Sequence, residues 1–246
     1  MTAGNMKETI KSVAIDLFFQ KGYFATSISD IARGSGIQKA SIYYHYASKE
    51  ELLFSIQKTT MEDLTACLKT GIAKGRDTEA KMRMAVHTHV RFHLERQKEN
   101  FIANSEMRGL TQEHLRVIVQ KRDEYEQIFQ DIIQNGTQAG VFSPCDVKIL
   151  SYAILTLCTA GAAWYKPDGR LNVDEIATIY EQFIISGLKQ GNMHTFHSSV
   201  FPHSGTVRFP ATDHPCPKSM EQYENIIKKD FSAIQGSEVV KQLGDF

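Results

Sequence analysis

Thr26–Leu53, TSISDIARGSGIQKASIYYHYASKEELL, decides the fold of this 246-residue chain, because it reads as two short helices around a glycine corner with a third already begun. Thr26 and Ser27 are both residue types that cap a helix start, and Ile28, Ile31 and Ala32 follow at helical spacing. Gly34-Ser35-Gly36 then stops that helix, since glycine tolerates positive φ and lets two helices approach closely, as a tight corner requires. The second helix, Gln38 to Tyr46, turns Ile42 inward and leaves Gln38, Lys39, Ser41, Tyr43, Tyr44 and His45 outward, a polar and aromatic surface suited to phosphates and base edges. Ser48 caps the third helix, with Glu51 at the capping-box position and Leu52, Leu53 and Ile56 inward. Lys49 lies at the free N–H groups of that helix, a place for a phosphate clamp. An outward face of this kind on a helix-turn-helix makes DNA the first partner to consider.

Outward from the motif, Met6, Ile10, Val13, Ala14, Leu17 and Phe18 mark an amphipathic helix ending at Lys21-Gly22 that braces it. Ser55 to Lys74 continues the third helix, and Gly75 to Asp77 make a break. Helical patterns follow at roughly 78–98, 99–108, 111–135, 144–165 and 173–189, with no alternating strand pattern, so the chain is expected to be all-α through residue 190. The divisions are a head (1–55), a helical body (56–190) and an extended tail (191–246) in which 219–234 has the pattern of a short helix. Asp146–Tyr165, DVKILSYAILTLCTAGAAWY, is apolar nearly all round and has to be covered twice, once by its own core and once by something else. The next helix, with Ile176, Ile179, Tyr180, Phe183, Ile184 and Leu188, is a second candidate for the same outer surface.

Composition limits the partners. The 28 basic and 28 acidic residues cancel, so no global field attracts nucleic acid, and residues 1–60 carry only seven Lys or Arg against five Asp or Glu. Phosphate binding therefore has to come from local placement. A hydrophobic share of 42% is ample for a packed core. Cys67, Cys145, Cys158 and Cys216 stand far apart without paired-ligand spacing, which suits a reduced cytoplasm and gives no structural metal. No apolar run is read as approaching a membrane span, and the N-terminus lacks the apolar core of a signal peptide, so a cytoplasmic location without a membrane partner is expected. No phosphate-cradling glycine loop, nucleophile elbow or carboxylate constellation stands out, so neither an enzyme nor a cofactor is expected.

Within Ile15–Leu53, LFFQKGYFATSISDIA and SGIQKASIYYHYASKEELL resemble the DNA-binding signature of the TetR/AcrR family of bacterial transcriptional regulators. The likeness covers most of the first 55 residues; beyond residue 60 it is one of architecture. It implies that Lys39, Ala40, Ser41 and Tyr43 meet bases or adjacent sugar-phosphate, and that Thr26, Tyr44, His45 and Lys49 meet the DNA backbone. Gln38 has an amide suited to a base edge, Lys39 suits guanine O6 or N7, and Ala40 and Ser41 are small enough to approach a thymine methyl. The resemblance further implies that the last two helices form a four-helix bundle about a two-fold axis in a homodimer, where the residues alone leave a large monomer core open.

In the body, His89 and His93 lie one helical turn apart with His87 nearby, but no third ligand at a defined spacing accompanies them, so no metal is expected. Arg122 interrupts the inner stripe Leu115, Ile118, Tyr125, Phe129 and Ile132. A guanidinium there pairs with an internal carboxylate, snorkels to an edge, or waits for an anionic ligand. Under the last option, Met82, Val86, His89, Val90, His93, Phe101, Tyr125, Phe129 and Trp164 line an elongated cavity beside it. The WYKPDGRL turn and following DEIA helix within Ala163–Leu188 are similar to the branch of the family that regulates fatty-acid or steroid degradation in response to acyl-coenzyme A thioesters.

The expected protein is thus a homodimeric repressor whose recognition helices enter successive major grooves of a near-palindromic operator. A small hydrophobic or acyl-coenzyme A-like effector releases it, through the helix from Lys49 to about Lys74 as lever. The alternative is a DNA-bound scaffold of the same fold that recruits a protein partner through its body or tail. An enclosed ligand-sized cavity favours the first, and a collapsed body with an exposed apolar patch favours the second.

Overall fold

The computed structural model describes residues 3–189, with side-chain surroundings from Met6 onward; the tail 191–246 and the helix expected at 219–234 lie outside the described residues. Among the described residues are nine α-helices and no strand, which agrees with the all-α reading.

Helices α1 (Ala3–Lys21), α2 (Ile28–Gly34), α3 (Lys39–His45) and the start of α4 (Lys49–Ile72) form the head. Ile10, Ala14 and Phe18 recur every fourth residue along α1 and are fully buried, against Ile31, Ile42, Leu52, Leu53 and Ile56 of the other three helices. Burying a large apolar side chain of this kind contributes about 1.5–3 kcal/mol of hydrophobic stabilisation. Gly34 and Gly36 make the corner for different reasons. A Cβ on Gly34 would lie 2.6 Å from Val13 Cγ1 of α1, whereas Gly36 has φ +67° with open space around it.

The body comprises α5 (Thr78–Glu95), α6 (Gln97–Ser105), a 3-10 turn (Met107–Gly109), α7 (Gln112–Gln138), α8 (Val147–Trp164) and α9 (Val173–Lys189). Asp77, Thr111 and Asp146 each accept the orphan N–H of the third helical residue, fixing the starts of α5, α7 and α8. The body core joins α4, α5, α7, α8 and α9 through Leu64, Leu68, Met82, Val86, Phe129, Ile133, Ile154 and Ile184. Arg83 ties α5 to α9 through Glu181 at 2.8 Å, and Arg91 does so through Asp174 at 3.2 Å.

Helix α6 joins the two parts: it packs on the head, and Gln97 Nε2 at its start donates to the Ala162 carbonyl of α8 at 2.7 Å. Ile102 is fully buried among the head residues Ile10, Phe18 and Ile56. Its neighbours add polar ties to α1 and the following turn: Lys98 pairs with Asp16 at 2.6 Å, and the Tyr23 amide donates to Glu106 Oε1 at 3.2 Å. A second strap joins the start of α7 to the start of α4, where Glu50 accepts from the Thr111 amide at 2.9 Å and engages His114 Nδ1 at 2.8 Å. The His114 ring stacks on Phe54 with centroids 3.7 Å apart.

Helix α8 corrects the expectation that no segment approaches a membrane span. Its 18 residues have a mean hydropathy of 1.4 and are long and apolar enough by length and composition alone. Small residues such as Ala153, Ala160, Gly161 and Ala163 supply much of that length, which is why no long run of large apolar side chains is seen in the sequence. Its inner side, Ser151, Ile154, Cys158 and Gly161, is buried in the body. The outer side leaves Ile149, Tyr152, Leu157 and Trp164 exposed, beside Ile179 and Phe183 of α9.

Candidate nucleic-acid interface and effector site

Helix α2 starts in a complete capping box: Ser27 Oγ accepts from the Asp30 amide at 3.1 Å, and Asp30 Oδ2 accepts from the Ser27 amide at 3.0 Å. Hydrogen bonds from the Ser27 hydroxyl and amide, then Lys21 at 3.1 Å, hold the Asp30 carboxyl well below the usual carboxylate range. Helix α3 has no comparable cap; it starts from Gln38 and is anchored by Ile42, which is fully buried. With Ile42 fixed, the helical period turns Lys39, Ala40, Ser41, Tyr43 and Tyr44 to solvent, with Gln38 exposed beside them and His45 partly so. Tyr44 is 81% exposed and Tyr43 48%, high for large aromatics. The Tyr44 and His45 rings meet edge to face at 5.1 Å.

Two residues expected on this face have their polar atoms turned inward. Thr26 is 1% exposed, and its hydroxyl donates to the Gly22 carbonyl at 2.8 Å. Ser27 rather than Thr26 therefore caps α2, because Thr26 closes the end of α1 instead. Lys49 does not present a free ammonium: Nζ donates to the carbonyls of Tyr23 at 3.0 Å and Thr26 at 2.8 Å, and lies 4.3 Å from the Tyr23 ring centroid. Burial at this position lowers its pKa. It fastens the turn between α1 and α2 to the start of α4.

In the body, the structure brings together Val86, His89, Val90, His93, Tyr125 and Phe129, all buried, with Arg122 at their edge. His89 donates or accepts at both nitrogens, with Tyr125 Oη at 2.7 Å from Nδ1 and Thr159 Oγ1 at 3.0 Å from Nε2. The His93 ring lies 4.2 Å from that of His89, and its Nδ1 has no hydrogen-bond partner. Burial lowers the His93 pKa to about 4, with the Arg122 charge acting in the same direction and a hydrogen bond with Asn100 acting against them. Desolvation also drives His89 well below its usual value, so both rings are neutral near pH 7. His87 turns elsewhere, toward Asp174 and Glu181 of α9, and the three histidines do not converge.

Phe101 and Trp164 do not join this group. Phe101 is 46% exposed and meets Phe19 of α1 at 5.3 Å, because α6 spends its buried positions on Asn100, Ile102 and Ala103. Trp164, the last residue of α8, is 54% exposed. The apolar residues of the group belong to one buried cluster with the rest of the body core. The two cavities described lie elsewhere, one of about 350 Å³ between α1, α4 and α6 and one of about 420 Å³ on α7. Arg122 has no carboxylate partner among the described residues; its Nη2 donates to the Ala103 carbonyl at 2.6 Å and more weakly to Asn104 Oδ1 at 3.4 Å. This tie from α7 to α6 is a long-range pairing with no signal in the sequence.

Residues 10–56 match the family described as bacterial regulatory proteins, tetR family, and residues 75–188 match the tetracyclin repressor-like C-terminal domain. The HTH-type transcriptional repressor KstR2 of Rhodococcus jostii is 26% identical over 178 residues, covering 72% of this chain and 87% of that protein. The crystal structure of the TetR family transcriptional regulator PfmR from Thermus thermophilus is 30% identical, with a TM-score of 0.68 over 73% of this chain and 98% of that one. In fold alone, AibR in complex with isovaleryl coenzyme A and operator DNA is similar at 23% identity, with a TM-score of 0.66 over 74% of this chain and 97% of that one.

Proposed function

The chain belongs to the TetR family of bacterial transcriptional regulators, DNA-binding proteins rather than enzymes, and from that premise we propose that it is a homodimeric repressor released from a near-palindromic operator by a small effector. The observation that carries this reading is the outer face of α3, where Lys39, Ala40, Ser41, Tyr43 and Tyr44 stand in solvent while Ile42 holds the helix down. Gln38, Lys39 and Tyr43 supply contacts to base edges or the adjacent sugar-phosphate, and Tyr44 and His45 supply backbone contacts and apolar surface. The exposed apolar side chains of α8 and α9 supply the dimer contact, among them Tyr152 and Leu157 of α8 and Ile179 and Phe183 of α9, the last two 50% and 68% exposed. Two heads held by one rigid contact then read two half-sites at a fixed spacing.

The effector acts at the group around His89, His93 and Arg122. Arg122 bonds the carbonyl of Ala103, whose neighbour Ile102 is in the head core, so a rearrangement there moves α6 and tilts α3. This adds α6 to α4 as a lever. Only a difference in effector affinity between the two tilts shifts the population. The WYKPDGRL and DEIA segments, with the isovaleryl coenzyme A bound by AibR of the same fold, favour an acyl-coenzyme A thioester or a related apolar acid. A second reading, a scaffold that recruits a protein partner, draws on the close packing of the same group. Mass spectrometry of small molecules retained by the purified protein separates the two readings.

The test of the DNA reading is a shift assay on the DNA upstream of the chain's own gene. Tyr43→Ala is expected to weaken specific binding about tenfold or more, the scale of one base-edge interaction, with the dimer unchanged in sedimentation. Unchanged affinity at fixed salt refutes the assignment of the α3 face.

A further inference from the structure

Two polar groups at one place in the body are unsatisfied in complementary ways. Arg83, Arg91 and Arg96 each hold a carboxylate, at 2.7, 2.8 and 2.7 Å. Arg122 reaches only neutral oxygens, the carbonyl of Ala103 and the amide oxygen of Asn104. Further into the body, His93 is 7% exposed and its Nδ1 bonds nothing, although its ring is close enough to Arg122 to respond to that charge. A buried polar atom without a partner costs about 1–3 kcal/mol, and a desolvated charge costs more, so their coincidence calls for a common cause.

The carboxylates near enough to serve Arg122 are directed elsewhere. Glu126, one turn further along α7, accepts from Gln130 and from Ser151 of α8. Asp123 is exposed on the opposite side, at the α7 surface cavity with Glu124 and Asp131. On α6, the Asn104 amide donates to the Asn100 carbonyl and side-chain oxygen at 3.0 Å, which leaves the end of that helix with acceptors facing Arg122 and no anion.

We propose that the junction of α5, α6 and α7 is a subsite for a single carboxylate on a small apolar ligand, with Arg122 as its charge partner. This rests on the reading that the body senses a small molecule, and it specifies which chemical group is sensed. The guanidinium presents a planar pair of N–H donors that matches a carboxylate. Only one positive charge is present, because burial keeps His93 neutral, so a monoanion is favoured over a doubly charged phosphate. The apolar part of the ligand has to part the side chains of Val90, Tyr125 and Phe129, which are buried in one cluster on the inner side of α5 and α7. The carboxylate takes Arg122 from the Ala103 carbonyl, and the end of α6 loses that tie to α7.

Titration calorimetry of the full chain with sodium octanoate, octanamide and octyl phosphate tests the subsite. Octanoate is expected to bind at least about tenfold more tightly than octanamide or octyl phosphate, the scale of a hydrogen bond to a charged group. Arg122→Gln removes that preference while leaving octanamide binding near wild type. Arg122→Lys, which keeps the charge without the fork, retains part of it and covers the case in which the Gln variant folds poorly. Equal binding of octanoate and octanamide, no binding of either, or an unchanged preference in both variants overturns the proposal. A preference for octyl phosphate overturns the monoanion assignment. The operator assay is separate: if octanoate binds with the expected preference but does not release the DNA, the sensor reading fails and the subsite stands.

Discussion

Replacing Lys49 by methionine separates two roles that a lysine at a helix start can play. A phosphate clamp would project its ammonium outward, whereas here Nζ donates to two carbonyls of the preceding turn, at 3.0 and 2.8 Å, and sits over the Tyr23 ring. Methionine keeps the apolar stem and removes the charge and both hydrogen bonds. Hydrogen bonds from a charged group are worth about 1.5–3 kcal/mol each, and the partial exposure of Lys49 reduces the pair to about 2–3 kcal/mol in total. At about 2–4 °C per kcal/mol for a unit of this size, the melting temperature should fall by roughly 4–12 °C. Operator affinity should fall too, because the α1–α2 turn positions α3. The decisive quantity is the slope of log Kd against log salt, which changes by about 0.9 for each phosphate no longer neutralised, or about 1.8 for a two-headed dimer. A positioning residue leaves that slope unchanged and displaces the whole line. A slope reduced by about 1.8 with an unchanged melting temperature refutes the reasoning and makes Lys49 a phosphate clamp.

Phe183→Glu on α9, where the ring is 68% exposed, should dissociate the dimer in sedimentation velocity and lower operator affinity sharply while leaving the monomer folded. Ile102→Ala should cost about 2–5 kcal/mol, and a fluorescent label on α3 should report loosening of the head before α8 and α9 melt. Acidification provides a further check. Because the His93 pKa is about 4 in the folded chain against about 6.5 unfolded, the unfolded chain takes up the proton first as pH falls. Stability should therefore decline from about pH 6.5 toward pH 4, by about 3 kcal/mol for His93, with His89 adding in the same direction. Thermal melts of His93→Phe across that range should show a shallower decline, and an identical pH profile would count against the neutral buried imidazole.

The head was legible in the sequence because its determinants are local. Ser27 and Asp30 sit three residues apart, Gly34 and Gly36 bracket one corner, and Ile42 alone decides which way α3 faces. The body was legible in its elements but less so in its pairings. Arg122 could be singled out because a charge on an apolar stripe breaks a period, yet its partner, the Ala103 carbonyl, is a backbone atom that leaves no mark in sequence. Phe101 reads as pocket lining on its apolarity, whereas the fold sets it half-exposed against Phe19 of α1. Lys49 reads as a phosphate clamp because a helix start attracts anions in general. Here the carbonyls that receive its ammonium lie 26 and 23 residues earlier in the chain. Glu50 with His114 and Glu106 with Tyr23 are 64 and 83 residues apart, beyond the reach of any periodicity.

The seat of Ile102 bears on how far such regulators are modular. By sequence it belongs to the body, and by packing it plugs the head. A head excised after the first turns of α4, or grafted at that point onto a foreign body, arrives with a socket that the new neighbour has to fill with a side chain of the same shape. Exchanges of DNA specificity made at that boundary would then fail through packing while the recognition helix itself is sound. The transferable unit is α1 to α4 together with a matching α6, two stretches of chain separated by the whole of α5.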